Sequence, residues 1–213
     1  MNKLWWEKNP NWQTNTIPTS GDKRSKNSWL MAAILCGFSV FVIYSNQQGL
    51  LNIDNAEQYM DIKQLILVAL SLFFLAKAVL DTLKLKRFGK ADFIMHPFPT
   101  FLGKKFSGSV QLNDKVDANM MQAELLLMQR RRIAMGEKNA YRQYLAWKMP
   151  LQLSVEHLLN GSRILVDGKI PHDKPPSQEA VGESHYWQLY IYSQDKSYKS
   201  RWDVPVLGAD DHR

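Results

Sequence analysis

The residues best suited to chemistry are scattered along this 213-residue chain. Its five histidines are His96, His157, His172, His185 and His212. No two of them stand at the spacing of zinc ligands. The single cysteine, Cys36, lies inside an apolar run and cannot by itself build a disulfide or a thiolate cluster. The sequence therefore predicts neither a metal centre nor a cofactor.

The sequence also contains no clear motif for a catalytic nucleophile. Ser154 and His157 are three residues apart, and on a strand their side chains point to opposite faces. No phosphate-binding loop and no G-x-S-x-G turn is present. His172 and Asp173 stand in the Pro-rich segment 171–184, which we interpret as a solvated surface loop. We expect no enzymatic activity, and we retain His172 and Asp173 as candidate interaction residues.

Two apolar runs dominate the first third of the chain. We predict transmembrane helices over residues 29–46 and 62–83, because about eighteen apolar residues cover the hydrocarbon core of a bilayer. Trp29 and Tyr44 lie near the two ends of the first run, where aromatic rings favour the headgroup level. The preceding 28 residues are too long for a signal-peptide n-region, and the first run lacks the polar stripe of a soluble helix.

Three residues inside the runs leave alternatives open. Lys77 either extends its side chain to the membrane interface or acts as a functional intramembrane cation. Ala33 and Gly37 form a small-xxx-small pair that lets another helix approach closely. That helix is either the second span, through its own small residues, or a helix of a partner protein.

Lysine and arginine counts predict the orientation. Basic residues crowd both outer flanks, with Lys84, Lys86 and Arg87 following the second run. The intervening loop, residues 47–61, has no Lys or Arg. By the positive-inside rule both termini are cytoplasmic. Residues 106–213 carry fourteen basic and thirteen acidic residues, which argues against nucleic acid as a partner.

After Arg87 the sequence changes to short alternating stretches separated by turn residues. Eight of them have the length and alternation of β-strands, which predicts an all-β sandwich over residues 84–208. Residues 121–133 also have the composition of a helix, but we favour a strand. Asn160-Gly161 predicts a two-residue hairpin turn.

The stretch from His185 to Gly208 predicts a closing hairpin. Trp187 alternates with tyrosines on the first strand, and Trp202 lies on the returning strand. Both tryptophans suit the core or a cross-strand pair, and we also retain them as candidates for an interaction surface. The tail of residues 1–28, with Trp5, Trp6 and Trp12, is expected to be disordered, with contact to a membrane or a partner as alternatives.

Three stretches of the sequence follow one another in the order seen in a family of two-span bacterial inner-membrane proteins. They are RFGKADFIMHPFPTFLGKKFSGSVQL, KIPHDKPPS and YWQLYIYSQDKSYKSRWDVPVLG. The chain resembles this family over residues 87–207 and the preceding hairpin. It departs at Lys104-Lys105, where a second glycine is usual, and in a shorter turn over residues 194–197. The resemblance implies an arrestin-like or immunoglobulin-like sandwich that binds rather than catalyses, with no activity assigned.

Together these features predict a multi-pass protein of the bacterial inner membrane. Its fold class is membrane-anchored α+β, a two-helix transmembrane hairpin followed by an all-β sandwich, with a short tail at residues 209–213. We expect an adaptor whose partners are the lipid bilayer and another membrane or membrane-associated protein. The alternative is an enzyme or transport-system component with a site in the 171–184 loop or between the spans.

Overall fold

The computed structural model describes residues 9–19, 21–47, 57–135, 138–179 and 183–208. The chain forms two compact units. One is helical and spans Ser20–Arg87, and the other is a β unit that combines Met1–Thr19 with Phe88–Arg213.

The helical unit consists of α1 (Gly21–Gln47) and of α2 (Glu57–Phe88) up to Arg87, whereas Phe88, the last residue of α2, belongs to the β unit. Both predicted spans lie inside these helices, which extend beyond them. Within them, Ser25–Ser45 and Leu65–Phe88 are long and apolar enough to cross a membrane. The α2 helix continues past the predicted end at residue 83 because its last turns contain good helix formers, and it stops before Gly89, which has a φ of 77°.

The β unit contains all eight predicted strands, including the segment that also had helical composition. The strands are β1 (Thr16–Ile17), β2 (Phe93–His96), β3 (Thr100–Phe101), β4 (Lys105–Leu112), β5 (Met121–Met135), β6 (Lys138–Pro150), β7 (Gln152–Leu158), β8 (Gly161–Lys169), β9 (Gln178–Glu179), β10 (Glu183–Ser193), β11 (Lys199–Val204) and β12 (Val206–Leu207).

Two antiparallel sheets share one core. The first has the order β1-β2-β4-β8-β7, and the second has the order β11-β10-β5-β6, with β9 paired to β10. Their inward side chains alternate along each strand and meet in a single hydrophobic cluster. Its largest fully buried members include Phe93, Leu125, Ile164, Trp187 and Trp202. The mostly β domain that follows the helices is thus a two-sheet sandwich.

The hairpin between β7 and β8 turns one residue earlier than predicted. Leu158 pairs with Gly161, so the two turn residues are Leu159 and Asn160. Gly161 is instead the first residue of β8, with a φ of 126°. A Cβ at this position would lie 2.0 Å from the carbonyl oxygen of Leu112, so the close approach of two backbones explains the glycine.

The expected disorder of the N-terminal tail is wrong for its described part. We call residues 9–19 the N-terminal strap. Its strand β1 pairs with β2, in the register Thr16↔Ile94 and Ile17↔Phe93. Trp12 is buried, and its Nε1 donates a hydrogen bond to the carbonyl oxygen of Asp203, at 3.0 Å. Trp5 and Trp6 lie outside the described residues.

High pH is expected to destabilise the β unit through Tyr198, which is buried against Phe88. Burial raises the pKa of Tyr198 well above its ordinary value of 10.0. The unfolded chain therefore loses this proton at a lower pH than the folded chain. The contribution to the free energy of unfolding is complete below pH 10.0 and falls as the pH rises further.

Thermal unfolding of the full chain in detergent, followed across this alkaline range, measures the effect. Tyr198→Phe should flatten the loss of stability with pH, whereas Tyr144→Phe, at an exposed position, should leave it unchanged. An unaltered pH slope in Tyr198→Phe would contradict the assignment.

Candidate functional site

The loop that carries His172 and Asp173 is exposed but anchored. Asp173 accepts a hydrogen bond from Lys174 Nζ at 2.9 Å, which is the main reason that the pKa of Asp173 lies below its ordinary value. The loop is held from beneath by Trp187, whose Nε1 donates to the carbonyl oxygen of Pro175 at 3.0 Å. No group of three potential metal ligands gathers among the described residues. His172 and Asp173 therefore remain surface residues on a fixed loop.

Trp187 and Trp202 are not surface residues. Both are almost completely buried, and the Nε1 of Trp202 donates to the carbonyl oxygen of Ala91 at 3.1 Å. Because they lie on inward positions of β10 and β11, they pack in the shared core and cannot touch a partner. Their proposed place on an interaction surface is wrong, and their place in the core is confirmed.

The two helices contact each other through polar and small side chains. Ser39 Oγ and Ser71 Oγ lie 2.7 Å apart, and both serines are buried. Nearer the other end, Ser28 Oγ donates to Asp81 Oδ2 at 2.7 Å. Lys77 Nζ lies 3.3 Å from the same carboxylate oxygen and 3.0 Å from Ser28 Oγ. Lys77 is therefore paired inside the helical unit, one turn from Asp81.

The small-xxx-small pair faces away from this seam. Ala33 and Gly37 are exposed, whereas the neighbouring Ala32 is buried together with Ala78 of α2. Space within 4 Å of a Cβ at Gly37 is empty. The interpretation that Ala33 and Gly37 pack against the second span is therefore wrong. The helix phase assigns that role to Ala32 and the serines.

The polarity of the helical unit is inverted relative to a soluble helix pair. The buried residues of its seam are hydroxyl-bearing or small, whereas large apolar side chains point outward. Trp29 and Tyr44 are also exposed. The outward apolar residues with more than half of their surface exposed are Leu30, Ile34, Phe38, Val40, Phe41, Leu65, Ile66, Leu72, Phe73, Leu80 and Leu83.

A groove in the β unit brings together residues that no sequence motif singled out. It has a volume of about 620 Å³ and lies between the N-terminal strap and the second sheet. Its lining includes Trp12, Arg130, Gln143, His185, Gln188 and Asp203. They come from the strap and from the strands β5, β6, β10 and β11, so no local sequence motif contains them.

Hydrogen bonds orient the walls of the groove. Gln188 Nε2 donates to Asp203 Oδ1 at 2.8 Å, and the backbone oxygen of Asp203 accepts from Trp12. His185 Nε2 lies 3.3 Å from Gln129 Nε2. Burial, followed by the charge of Asp203, raises the pKa of Tyr186 above its ordinary value. Such a set of amides, one carboxylate and one guanidinium suits hydrogen bonding to a polar ligand or a peptide.

The outward face of the second sheet continues this surface. Tyr190 and Tyr192 stack with ring centroids 4.8 Å apart, and Arg201 lies over the Tyr190 ring at 4.6 Å. Arg130 lies over Tyr141 at 4.3 Å. Tyrosine and arginine are enriched at the energetically important centres of protein interfaces. The face thus has the composition of an interaction surface.

No protein-family model and no curated protein sequence matches this chain. Among solved structures, the sporulation control protein Spo0M of Bacillus subtilis matches with 14% identity and a TM-score of 0.34, over 55% of this chain and 48% of its own. Squid arrestin matches with 10% identity and a TM-score of 0.35, over 56% of this chain and 50% of its own.

A family 9 carbohydrate-binding module from Caldicellulosiruptor kristjanssonii, solved with glucose, matches with 9% identity and a TM-score of 0.29. That match covers 58% of this chain and 80% of the module. The matched regions span about half the length of Spo0M and of squid arrestin. At these scores the likenesses assign neither a family nor a function.

Trp12 is expected to hold the strap on the second sheet. Trp12→Ala should lower the free energy of unfolding by about 3–5 kcal/mol, because it removes a buried indole. Trp12→Phe keeps most of the apolar contact and loses the hydrogen bond to Asp203, which should cost about 1 kcal/mol.

Thermal unfolding of the full chain measures both changes, and limited proteolysis reports whether residues 9–19 become cleavable. Equal stability of Trp12→Ala and the wild-type chain would show that the strap is not anchored by this residue.

Proposed function

We propose that this chain is a two-span protein of the bacterial inner membrane that presents an arrestin-like β-sandwich to the cytoplasm, where it binds another protein. The observation that carries the membrane part is the inverted polarity of the helical unit. Eleven large apolar side chains point outward with more than half of their surface exposed, while serines lie in the seam. Hydrocarbon accepts such an exterior, whereas water does not.

The pairing of β1 with β2 supports the number of crossings. The β1 strand precedes α1, β2 follows α2, and the two strands are neighbours in one sheet. Two strands of one sheet must lie on the same side of a membrane. If the helices cross, they therefore cross as a hairpin, with both flanks in one compartment.

The charges of the flanks support the cytoplasm as that compartment. Lys84, Lys86 and Arg87 end α2, and Lys26 stands near the start of α1. The loop of residues 47–61 has no basic residue. The positive-inside rule places such flanks in the cytoplasm.

Protein binding is supported by the tyrosine- and arginine-rich face of the second sheet and by the adjoining groove. Lys77 was the alternative starting point for transport or catalysis. It contacts Asp81 and Ser28 within the seam, and a locally neutralised pair of this kind favours a role in helix packing.

Reporter fusions test the topology. A cytoplasm-active reporter joined after Arg213 should be functional, and the same reporter inserted between Gln48 and Gly49 should be silent. An export-active reporter should give the opposite pattern. Activity of the export reporter after Arg213, or release of the chain from membranes by alkaline washing, would refute the proposal.

Cross-linking tests the binding role. A photoreactive residue at Tyr186 or Tyr190 of the chain expressed at its native level should give one recurrent protein adduct. The photoreactive residue placed instead at Leu159, an exposed turn position, serves as the matched control and should give no protein adduct. An absence of protein adducts from every position on the face would contradict protein binding.

A further inference from the structure

The positive charge of the β unit is concentrated in one hairpin. Residues 121–150, which form β5, β6 and their connection, carry six basic and two acidic residues. The remainder of residues 106–213 carries eight basic and eleven acidic residues. Residues 1–19 and 88–105 add five basic and two acidic residues, so the β unit outside the hairpin has no net charge, and the hairpin carries the net positive charge of the unit.

Like charges face each other within this hairpin. Arg131 of β5 lies directly opposite Arg142 of β6. Arg131 has a partner, because its Nε lies 3.5 Å from Glu183 Oε1 on β10. Arg142 is exposed, and no described acidic residue lies within ion-pair distance of it. Like charges directly across a strand pair are unfavourable, so this arrangement leaves a cation that an anionic partner would stabilise.

The β6 strand is the outermost strand of the second sheet, and among the described strands none pairs with its outer edge. Its side chains from Tyr141 to Leu145 are all exposed. They alternate between the two faces, with Tyr141, Gln143 and Leu145 on one and Arg142 and Tyr144 on the other. An edge of this kind offers backbone hydrogen bonds together with side-chain contacts on both sides.

We propose that the β6 edge binds an extended, acidic segment of a partner protein by strand addition. The backbone of the segment pairs with β6, and its carboxylates meet Arg142 on one face and Arg130 or Arg132 on the other. The alternating apolar positions of the segment cover Tyr144 and Leu145. This inference rests on the proposed protein-binding function and assigns it a place and a partner chemistry.

Charge and geometry favour this occupant. A second copy of the chain, paired through its own β6, would bring two basic hairpins together and repel. A flat anionic membrane can meet only one face of the strand, whereas the cations lie on both. An added strand also directs successive side chains to both faces, which matches the alternation of Arg142 with its neighbours.

A synthetic peptide provides the direct test. The probe is a fluorescein-labelled peptide of about ten residues in which a pair of glutamates alternates with a threonine-valine pair, so that each face of the strand carries carboxylates. Fluorescence polarisation should detect its binding to the full chain in uncharged detergent. The peptide with glutamine in place of glutamate should bind about tenfold more weakly, since the charge pairs are lost. N-methylation of consecutive peptide nitrogens should also abolish binding, because it removes the backbone donors from both edges of the peptide strand.

Charge reversal in the protein gives the matched comparison. Arg142→Glu should weaken binding of the acidic peptide by about tenfold. The variant is expected to fold, because a carboxylate at this position faces Arg131. Lys199→Glu makes the same change of charge on β11, at the other edge of the sheet, and should bind the peptide as the wild-type chain does. Equal binding by the wild-type and Arg142→Glu chains would overturn the proposal, and so would full affinity of the N-methylated peptide.

Cross-linking from a photoreactive residue at Tyr144 tests binding at the β6 edge separately from the proposed protein-binding function. Adducts in native membranes should contain an acidic protein segment and should disappear in Arg142→Glu. Lipid or nucleic-acid adducts at Tyr144, or protein adducts that persist in Arg142→Glu, would overturn the inference. Protein adducts from position 186 but not from position 144 would agree with the proposed protein-binding function. They would refute only the inference that the partner binds at the β6 edge.

Discussion

The pairing of β1 with β2 is the interaction on which the organisation of this chain depends. Ile17 and Phe93 are register partners, although 76 residues and two long helices separate them. Only three residues lie between β1 and α1, and four lie between α2 and β2. The hairpin is therefore an insertion between two neighbouring strands of one sheet. Its two ends are held by backbone hydrogen bonds within the β unit, so the sandwich has two covalent connections to the helices.

The seam of the helical unit shows how polar groups are tolerated inside an apolar element. Ser39 Oγ lies 2.8 Å from the carbonyl oxygen of Leu35, and Ser71 Oγ lies 2.8 Å from that of Leu67. Because each hydroxyl has one hydrogen, one serine donates across the seam to the other, and the other donates to the carbonyl oxygen of its own helix. Small side chains with satisfied hydroxyls let two helices approach closely without leaving a buried donor unpaired. Lys77, Ser28 and Asp81 likewise provide hydrogen-bond partners for one another within the seam.

The sequence predicted the helices and strands well, but it predicted poorly which residues contact one another in the folded chain. Alternation and apolar length located every long strand and both helices, because these signals are local. The burial of Trp12 had no local signal, since its hydrogen-bond acceptor, Asp203, is 191 residues away. The direction of Ala33 and Gly37 depends on the phase at which α1 meets α2, which a spacing rule does not contain. The groove was missed for the same reason, as its walls come from separate strands and the strap.

The proposed binding role agrees with the way neighbouring groups hold the side chains of the groove and of the outward sheet face. The carboxylate of Asp203 in the groove accepts a hydrogen bond from Gln188. On the sheet face, the Tyr190 ring stacks on Tyr192 and lies beneath the guanidinium group of Arg201. Side chains fixed in this way lose little entropy on contact with a partner, which suits a binding surface.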